Sequence, residues 1–435
     1  MIRPVLIISL VSLLISSSVF PVLAGDSSTN LIDIIAELRR QNELLREQAQ
    51  RQDDAIETLN RKVASLESKS SEANDGPSAP PPGFGSTVSD RVRLSGNGAV
   101  GFFDTGSRGA FPNSEFLVDE ARLFVDAAIW DDVYGFLELN LATREAQDLN
   151  LNLGEAYLDF ENVSKLWDCD GMLSLRAGRM DVPFGEEYLH RDAIDNPLIS
   201  HSVMDFWGID EGIEIYGALG KVDYVLAVLN GSTETTGDLS RDKSVVARIG
   251  FDPVRRVHVG LSAMRTGDLN ATDGEWSELW MGNGFFRSIG TAATTKFHAN
   301  LAQGDLRIRL PHGHLHFAGG FARYDDDDPA RDNARDFWFW SVEGVQSLTE
   351  KLYAGARFSH VCVNGGYPMV GQGRFGTYFF GSPTDELWRL SLGLGYRFSE
   401  NLVVKTEYSF ERGQTLSGDD RDQTDMFSAQ AAFKF

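Results

Sequence analysis

The sequence predicts an all-β protein, a 16-stranded antiparallel transmembrane β-barrel preceded by an N-terminal coiled-coil helix. Three observations predict this fold. Apolar and polar residues alternate with a period of two through residues 91–435, the links between these segments are in turn short and long, and a heptad repeat occupies residues 31–66. A period of two gives each strand one apolar face and one polar face. An even number of strands is typical of a closed transmembrane barrel.

The first residues predict export. Arg3 precedes an apolar run, and Val22 and Ala24 stand where a signal peptidase requires small residues. We therefore expect a signal peptide at residues 1–24 and a mature chain that begins at Gly25. No run of 18 apolar residues follows, which excludes a spanning helix, so any entry into a membrane is by strands.

Residues 25–69 are expected to form a coiled-coil stalk. Ile35, Ala49 and Ile56 occupy one core position of the heptads, and leucines dominate the other. Asn42 in the core fixes the register at a cost in stability, and this pattern favours a two-stranded coil. Residues 70–90 are rich in Pro, Gly and Ser, which predicts a linker.

The barrel itself is expected over residues 91–435. About 16 alternating segments lie near residues 92, 116, 134, 150, 172, 210, 222, 244, 256, 293, 314, 336, 351, 386, 401 and 425. Links such as "SEN" are short and alternate with long polar links such as "GSTETTGDLSRD", as in barrels with short periplasmic turns and long external loops. We expect the last strand to pair with the first, with Phe435 facing outward in an aromatic girdle.

The composition limits the partners and the redox chemistry. The 435 residues are 42% hydrophobic with a mean hydropathy of -0.22, which fits either a water-soluble protein or a barrel with thinly spread apolar residues. The net charge of -23 argues against a nucleic-acid partner. The two cysteines, Cys169 and Cys362, are predicted at opposite ends of the barrel, so we expect two free thiols.

The segment "LSLRAGRMDVPFGEEYLHRDAIDNPLISHS" resembles the signature region of the phosphate-selective porin O and P family. The resemblance lies in an Arg-x-Gly stretch, here Arg176 to Gly178 with Arg179 following, and in Pro183, Phe184 and Gly185. It extends to the signal peptide, the stalk, the linker, the barrel and the terminal Phe. The resemblance implies a 16-stranded outer-membrane barrel, usually trimeric, with its third loop folded into the lumen. Members of that family often carry Lys where this chain has Asp181.

The sequence therefore predicts an outer-membrane porin that forms a water-filled channel for passive diffusion of small hydrophilic solutes, with anions such as phosphate among the candidate solutes. Sixteen strands leave a channel rather than a packed interior. The third loop, from Arg179 to about Trp207, is expected to narrow that channel. The predicted constriction residues are Arg176, Arg179, Asp181, Glu186, Glu187, Arg191 and Asp192. The basic residues predicted to face the lumen are Arg122, Arg248, Lys296, Arg357, Arg389, Arg397 and Lys405.

Several alternatives remain open. A structural tether that joins the outer membrane to the cell wall through the stalk is the alternative function. We expect weak anion preference without a tight phosphate site, because Asp181 places a negative charge beside Arg179. Barrel contacts favour a homotrimer surrounded by outer-membrane lipid, with the stalk in the periplasm. No arrangement of nucleophile and base stands out, so we expect neither an enzyme nor a cofactor, and we assign "PHGHLH" to a polar turn rather than a metal site.

Overall fold

The structure is a computed structural model that describes residues 87–89, 91–143, 149–232, 241–270, 277–289, 296–326, 328 and 330–435. The chain divides into two compact units, residues 1–82 and 83–435, and the described residues all lie in the second. The predicted signal peptide and coiled-coil stalk, and all of the linker except residues 87–89, lie outside the described residues.

Sixteen long strands form the wall of the molecule. They are β1 (Val92–Thr105), β2 (Glu115–Trp130), β3 (Val133–Thr143), β4 (Leu149–Phe160), β5 (Ser174–Asp181), β6 (Ile209–Leu219), β7 (Val222–Leu229), β8 (Ser244–Val254), β9 (Val257–Arg265), β10 (Lys296–Leu310), β11 (Gly313–Asp325), β12 (Arg335–Ser347), β13 (Leu352–Tyr367), β14 (Thr384–Ser399), β15 (Leu402–Thr415) and β16 (Met426–Lys434). Three short strands of the described chain also pair with long strands. They are Thr87–Ser89 with β1, Leu269–Asn270 with β10 and Asp420–Arg421 with β15.

Each long strand pairs in antiparallel fashion with its neighbours in sequence, and β16 pairs with β1. The sheet is therefore a closed 16-stranded barrel, as predicted. Among the described residues, every long strand is therefore paired on both sides, which satisfies the backbone donors and acceptors along the paired stretches.

The connections also follow the predicted alternation. At one end, the turns at residues 131–132, 220–221, 255–256, 311–312, 348–351 and 400–401 are short. A longer connection at this end, residues 161–173, contains a 3-10 helix at Val163–Trp167 and carries Cys169. The loops at the other end are longer. Two of them matter for the site: the third loop, residues 182–208, and the fifth loop, residues 266–295.

The two faces of the wall differ in chemistry. In β7, Leu226 and Val228 are exposed on the outside, whereas Val225 and Ala227, which alternate with them, are buried. The same alternation places a band of exposed apolar side chains on the outer face. Members of this band are Ile213, Val245, Ile249, Leu261, Trp338, Leu392, Leu394 and Phe433. An apolar exterior around a polar interior is the pattern of a barrel surrounded by lipid.

The seam between the last and first strands is closed by aromatic rings over glycines. The backbone groups of Phe435 and Gly96 exchange hydrogen bonds of 3.0 and 3.2 Å. A Cβ atom at Gly96 would lie 2.8 Å from the ring of Phe435, and one at Gly98 would lie 2.8 Å from the ring of Phe433. The glycines therefore make room for these outward rings, and the predicted pairing of the terminal strand is confirmed.

The third and fifth loops fold against the inside of the wall. The third loop contains a 3-10 helix at Glu187–His190. The fifth loop contains Trp280–Gly284, a 3-10 helix, and Phe285–Ser288, an α-helix; another short α-helix is Phe375–Tyr378. Phe184 and Phe206 of the third loop share one buried apolar cluster with Phe285 and with the wall residue Phe339. Among the described residues, no helix has the length and apolar character to span a membrane.

Candidate channel constriction

Lys405 of β15 is the main anchor of the third loop. Its Nζ atom donates hydrogen bonds to the carbonyl oxygens of Ala193, Asn196 and Leu198, at 2.6, 3.0 and 2.9 Å. The side chain of Lys405 is almost fully buried. A buried ammonium group requires this saturation with acceptors, because its desolvation is otherwise costly. The loop is thereby fixed in the lumen at its middle.

A second anchor is Arg357 of β13. Its Nη1 atom donates to the Ser200 carbonyl oxygen at 2.6 Å, and its Nη2 atom donates to Asn196 Oδ1 at 3.1 Å. Glu343 of β12 holds this guanidinium group from the wall, with Arg357 Nε donating to Glu343 Oε2 at 2.9 Å. Arg357 therefore links two strands to the loop rather than presenting a free charge to solutes.

Two further wall arginines also donate to the loop backbone. Arg389 Nη1 donates to the His201 carbonyl oxygen at 3.0 Å, and Arg397 Nη1 donates to that of Ile194 at 3.3 Å. Arg389 is also paired with the carboxylate of Glu411. Four of the basic side chains predicted to face the lumen thus face inward and hold the third loop.

A polar cavity of about 60 Å³ lies where the third loop faces β1–β3 and β16. Its lining residues are Asp119, Glu120, Arg122, Thr143, Arg191, Ala193, Asn196, Ile199, His201 and Gln430. Arg122 stands among three carboxylates. Its guanidinium nitrogens lie 2.7 Å from Glu120, 2.9 Å from Asp192 and 3.7 Å from Glu138. The strip between this wall and the third loop is the candidate constriction.

Arg191 and Asp192 are the two third-loop residues that the structure brings to this strip. Arg191 is ion-paired with Asp205, within the same loop, and stacks over the Trp207 ring at 5.0 Å. Asp192 bridges Arg122 and the side-chain amide of Asn97, whose nitrogen is 3.1 Å away. Arg191 therefore lines the cavity and Asp192 lies beside it at Arg122, and each is already paired.

Glu186 and Glu187 lie at other contacts of the loop. Glu186 Oε1 is 2.7 Å from His258 Nε2 in β9. Glu187 accepts from the backbone nitrogen of Ser202 at 2.7 Å and from its hydroxyl group. Glu187 thus stabilises the fold of the loop, and Glu186 fixes the loop to the wall opposite the cavity.

Arg176 lies on the inner wall and is surrounded by side chains of neighbouring strands. Its nitrogens lie 3.0 Å from Asp159 and 3.3 Å from Glu214, and its guanidinium group stacks over the Tyr157 ring at 4.3 Å. Tyr216 donates to the other oxygen of Asp159 at 2.8 Å. This cluster of acid, base and aromatic groups lies on the inner wall.

Arg179 and Asp181 are not part of that cluster. Arg179 follows Arg176 by three residues in an unbroken strand, so the alternation places it on the opposite face, where it pairs with Glu211 at 2.7 Å. The indole Nε1 of Trp207 donates to Asp181 Oδ1 at 3.2 Å. The single charged patch predicted from Arg176, Arg179 and Asp181 is therefore divided among three separate contacts.

The remaining two basic residues differ from each other. Arg248 of β8 faces inward, and its guanidinium carbon lies 5.7 Å from the Tyr188 ring of the third loop. Lys296 does not share that placement. It is exposed at the first position of β10, and its neighbour Phe297 is the residue that packs into the inner apolar cluster. Strand alternation therefore places Lys296 on the outer face of the barrel.

His190 of the third loop lies beside Arg307 of β10. Burial, together with the neighbouring Arg307 guanidinium, lowers the pKa of His190 below its ordinary value. Arg307 Nη1 lies 2.7 Å from His190 Nε2. A neutral imidazole at neutral pH adds no charge to the lumen, so the balance there is set by carboxylates and guanidinium groups.

Sequence reasoning missed three of the acidic partners of these arginines. The period-two alternation could have predicted that these three side chains face inward, because each lies an even number of residues from another inward side chain in its strand. They are Asp159, Glu343 and Glu411. Gln430, which lines the cavity, and Asn97, which contacts Asp192, gave no such signal, because amides are common on any polar face. The prediction of a polar turn at "PHGHLH" does not hold for His314 and His316, which lie in β11 beside different carboxylates, Glu343 and Asp305.

No family model matches the chain, and no curated protein matches it. Solved structures do. The outer membrane channel DcaP of Acinetobacter baumannii is similar, with a TM-score of 0.56 at 12% identity over 81% of this chain and 99% of that one. OmpT, an outer membrane protein of Vibrio cholerae, has a TM-score of 0.53 at 13% identity over 80% and 99%. OprB of Pseudomonas putida has a TM-score of 0.50 at 11% identity over 80% and 94%.

These likenesses establish the class of fold. The chain shares with these proteins the fold of a closed 16-stranded antiparallel barrel. The particular O and P family suggested by "RAGRMDVPFG" is not identified by the comparisons, because the sequence identities of the similar structures are too low to show more than the shared fold.

Proposed function

We propose that this protein is an outer-membrane porin that allows small hydrophilic solutes to diffuse passively through its lumen. The observation that carries the proposal is the third loop, which is fixed inside the barrel by Lys405 and Arg357 and leaves a charged strip along β1–β3. A closed barrel with an apolar exterior and an inner loop that narrows a polar lumen suits passage rather than chemistry.

The similar structures support this proposal through their described roles. DcaP is described as an outer membrane channel, and OmpT as an outer membrane protein. The proposed location is accordingly the outer membrane, with residues 25–69 proposed as a stalk in the periplasm. A homotrimer is the proposed assembly, and one of the similar OmpT structures is described as a trimer form.

The proposed selectivity is weak. Two inward arginines have carboxylates beside them. Arg122 lies beside Glu120 and Asp192, and Arg176 lies beside Asp159. Rings of unpaired Arg or Lys are what give anion and phosphate pores their preference. The lumen is therefore proposed to favour anions slightly at most and to lack a tight phosphate site.

Solute flux tests the proposal. Liposomes that contain the purified full chain are diluted into isotonic solutions of neutral sugars of increasing size, and the swelling rate is followed by light scattering. We expect fast swelling with the smallest sugars and a steep fall as size increases, because the third loop narrows the lumen. Swelling no faster than in protein-free liposomes, with folded protein present, would support a blocked barrel acting as a tether instead.

A further inference from the structure

We propose that His360, Cys362 and Glu386 form a binding site for a transition-metal ion such as Zn²⁺ on the outer rim of the barrel. These are the only three His, Cys, Asp or Glu residues in the described part of the chain whose ligand atoms converge as a group, with all the atoms within 4.8 Å of one another. The site is separate from the lumen and does not depend on the proposed channel function.

The three side chains share the outer face because of the strand alternation. In β13, Val361 and Val363 point inward and are buried in the inner apolar cluster, so His360 and Cys362 point outward. In the neighbouring β14, Leu387 points inward and Glu386 outward. The register sets Cys362 directly opposite Glu386. Directly opposite residues of antiparallel strands have side chains close enough to share a ligand.

The three ligand atoms lie close together around one ring nitrogen, although the distance between His360 and Glu386 is also that of an ordinary ion pair. His360 Nε2 lies 2.8 Å from Glu386 Oε1 and 3.6 Å from Cys362 Sγ. Tetrahedral Zn²⁺ with its usual bond lengths separates a nitrogen ligand from a sulfur ligand by about 3.5 Å. One ring nitrogen carries at most one proton, yet two polar atoms approach it here. A cation among the three would be shared by all of them.

The donor set selects the class of ion. Imidazole nitrogen, thiolate sulfur and one carboxylate oxygen are ligands of Zn²⁺ and of similar borderline ions, whereas Ca²⁺ and Mg²⁺ require oxygen ligands. Three protein ligands leave a fourth position for water or for an outside ligand. The site is thus of the open type rather than the closed structural type.

The surroundings allow an ion to enter and hold the imidazole ring in place. The Glu386 side chain is 47% exposed, and it lies two residues after the start of β14, at the end of the barrel that carries the long loops. The Trp340 ring lies 6.0 Å from the His360 ring, and Trp388 is opposite His360 in the register. Tryptophans of this kind mark the interface between lipid and water, so the site is proposed to lie at the outer surface of the membrane.

The test is a titration of the purified full-length chain with Co²⁺ in detergent, followed by competition with Zn²⁺. A metal-free phosphine reductant keeps the thiols reduced. Sulfur-to-cobalt charge-transfer absorption reports a Co²⁺ ion bound by a thiolate. The matched control is Cys169→Ser, which removes the chain's other thiol in the connection at residues 161–173. Heat-dependent gel mobility confirms that each variant is folded.

We expect the absorption in the unchanged protein and in Cys169→Ser, its complete loss in Cys362→Ser, and its displacement by Zn²⁺. His360→Gln and Glu386→Gln should each weaken Co²⁺ binding by at least about tenfold. Absence of the absorption from the folded, unchanged protein would overturn the site. Loss of the absorption in Cys169→Ser alone would also overturn the site. Unaltered affinity for Co²⁺ in both His360→Gln and Glu386→Gln would overturn it as well, because His360 and Glu386 would then be an ordinary ion pair.

Discussion

The Nζ atom of Lys405 in β15 lies 2.6 Å from the carbonyl oxygen of Ala193 in the third loop, across 212 positions of sequence. Together with Arg357, this wall residue holds the middle of the loop inside the barrel. The loop carries Asp192, the partner of Arg122 across the candidate constriction. The width and charge of the passage therefore depend on contacts on the opposite side of the loop.

Replacing the anchor should loosen the loop. Lys405→Met keeps most of the side-chain length but leaves three loop carbonyl oxygens without their donor, at a cost on the order of 3 kcal/mol. We expect a lower thermal midpoint in detergent and noisier single-channel current. Lys351→Met, in an exposed short turn, is the matched control. Equal midpoints and equal noise in the two variants would show that the loop does not depend on this anchor.

Charge at the candidate constriction should control ion preference. Asp192→Asn removes a negative charge beside Arg122 and should shift the reversal potential in a salt gradient toward anions. Arg122→Gln should shift it toward cations. Lys165→Gln changes the charge by the same amount in an exposed turn, where salt screens it from the strip over about 8 Å. If the control shifted the potential as much as Arg122→Gln, the strip would not be the narrowest point.

The fifth loop should give the barrel a pH-dependent stability. Burial raises the pKa of Glu278 to about 7. Because this folded-state pKa exceeds the unfolded value of 4.5, the stabilisation from the bound proton is complete below about pH 4.5 and is lost as the pH rises toward 7. Over that window the loss is on the order of 3 kcal/mol.

Glu278→Gln removes that dependence, since an amide stays neutral. We expect the thermal midpoint of Glu278→Gln to equal that of the unchanged protein near pH 4.5 and to exceed it increasingly up to pH 7. Glu350→Gln, in an exposed turn, should follow the unchanged protein throughout. A midpoint of Glu278→Gln below that of the unchanged protein at pH 7 would mean that the charged carboxylate stabilises the loop.

The seam of the barrel should be sensitive to added volume at Gly96. Gly96→Val places a Cβ atom 2.7 Å from the Arg122 carbonyl oxygen and 2.8 Å from the Phe435 ring, so that the ring must leave the seam. We expect a reduced yield of folded barrel, measured by heat-dependent gel mobility. Gly376→Val enters open space in a short helix of an external loop and should fold at the usual yield. Equal yields would show that the ring over Gly96 is dispensable.

The wall was predictable from the sequence because its signals are local. Alternation within each strand and the lengths of the links gave the strand number, the order and the seam at Phe435. The same alternation failed for Lys296, which stands at the first position of its strand, where no preceding residue fixes the phase, while Phe297 takes the inward place. It also separates Arg176 from Arg179, which the resemblance had grouped together.

The site was less predictable because its contacts join distant parts of the chain. Arg357 and Lys405 were correctly expected to be inward, but their partners are backbone carbonyl oxygens of the third loop, which no side-chain pattern reveals. Basic residues that suggested an anion path instead hold a loop. His360 and Cys362 are likewise unremarkable until the register brings Glu386 beside them.

The central claim is that the barrel contains a water-filled passage. Single-channel recording in planar bilayers tests this claim most directly. The purified full chain is added at low concentration in concentrated potassium chloride, and the current is followed at constant voltage. The account predicts discrete upward current steps of uniform size, with a reversal potential near zero or slightly toward anions in a salt gradient. Insertion of folded protein without any current steps would contradict it.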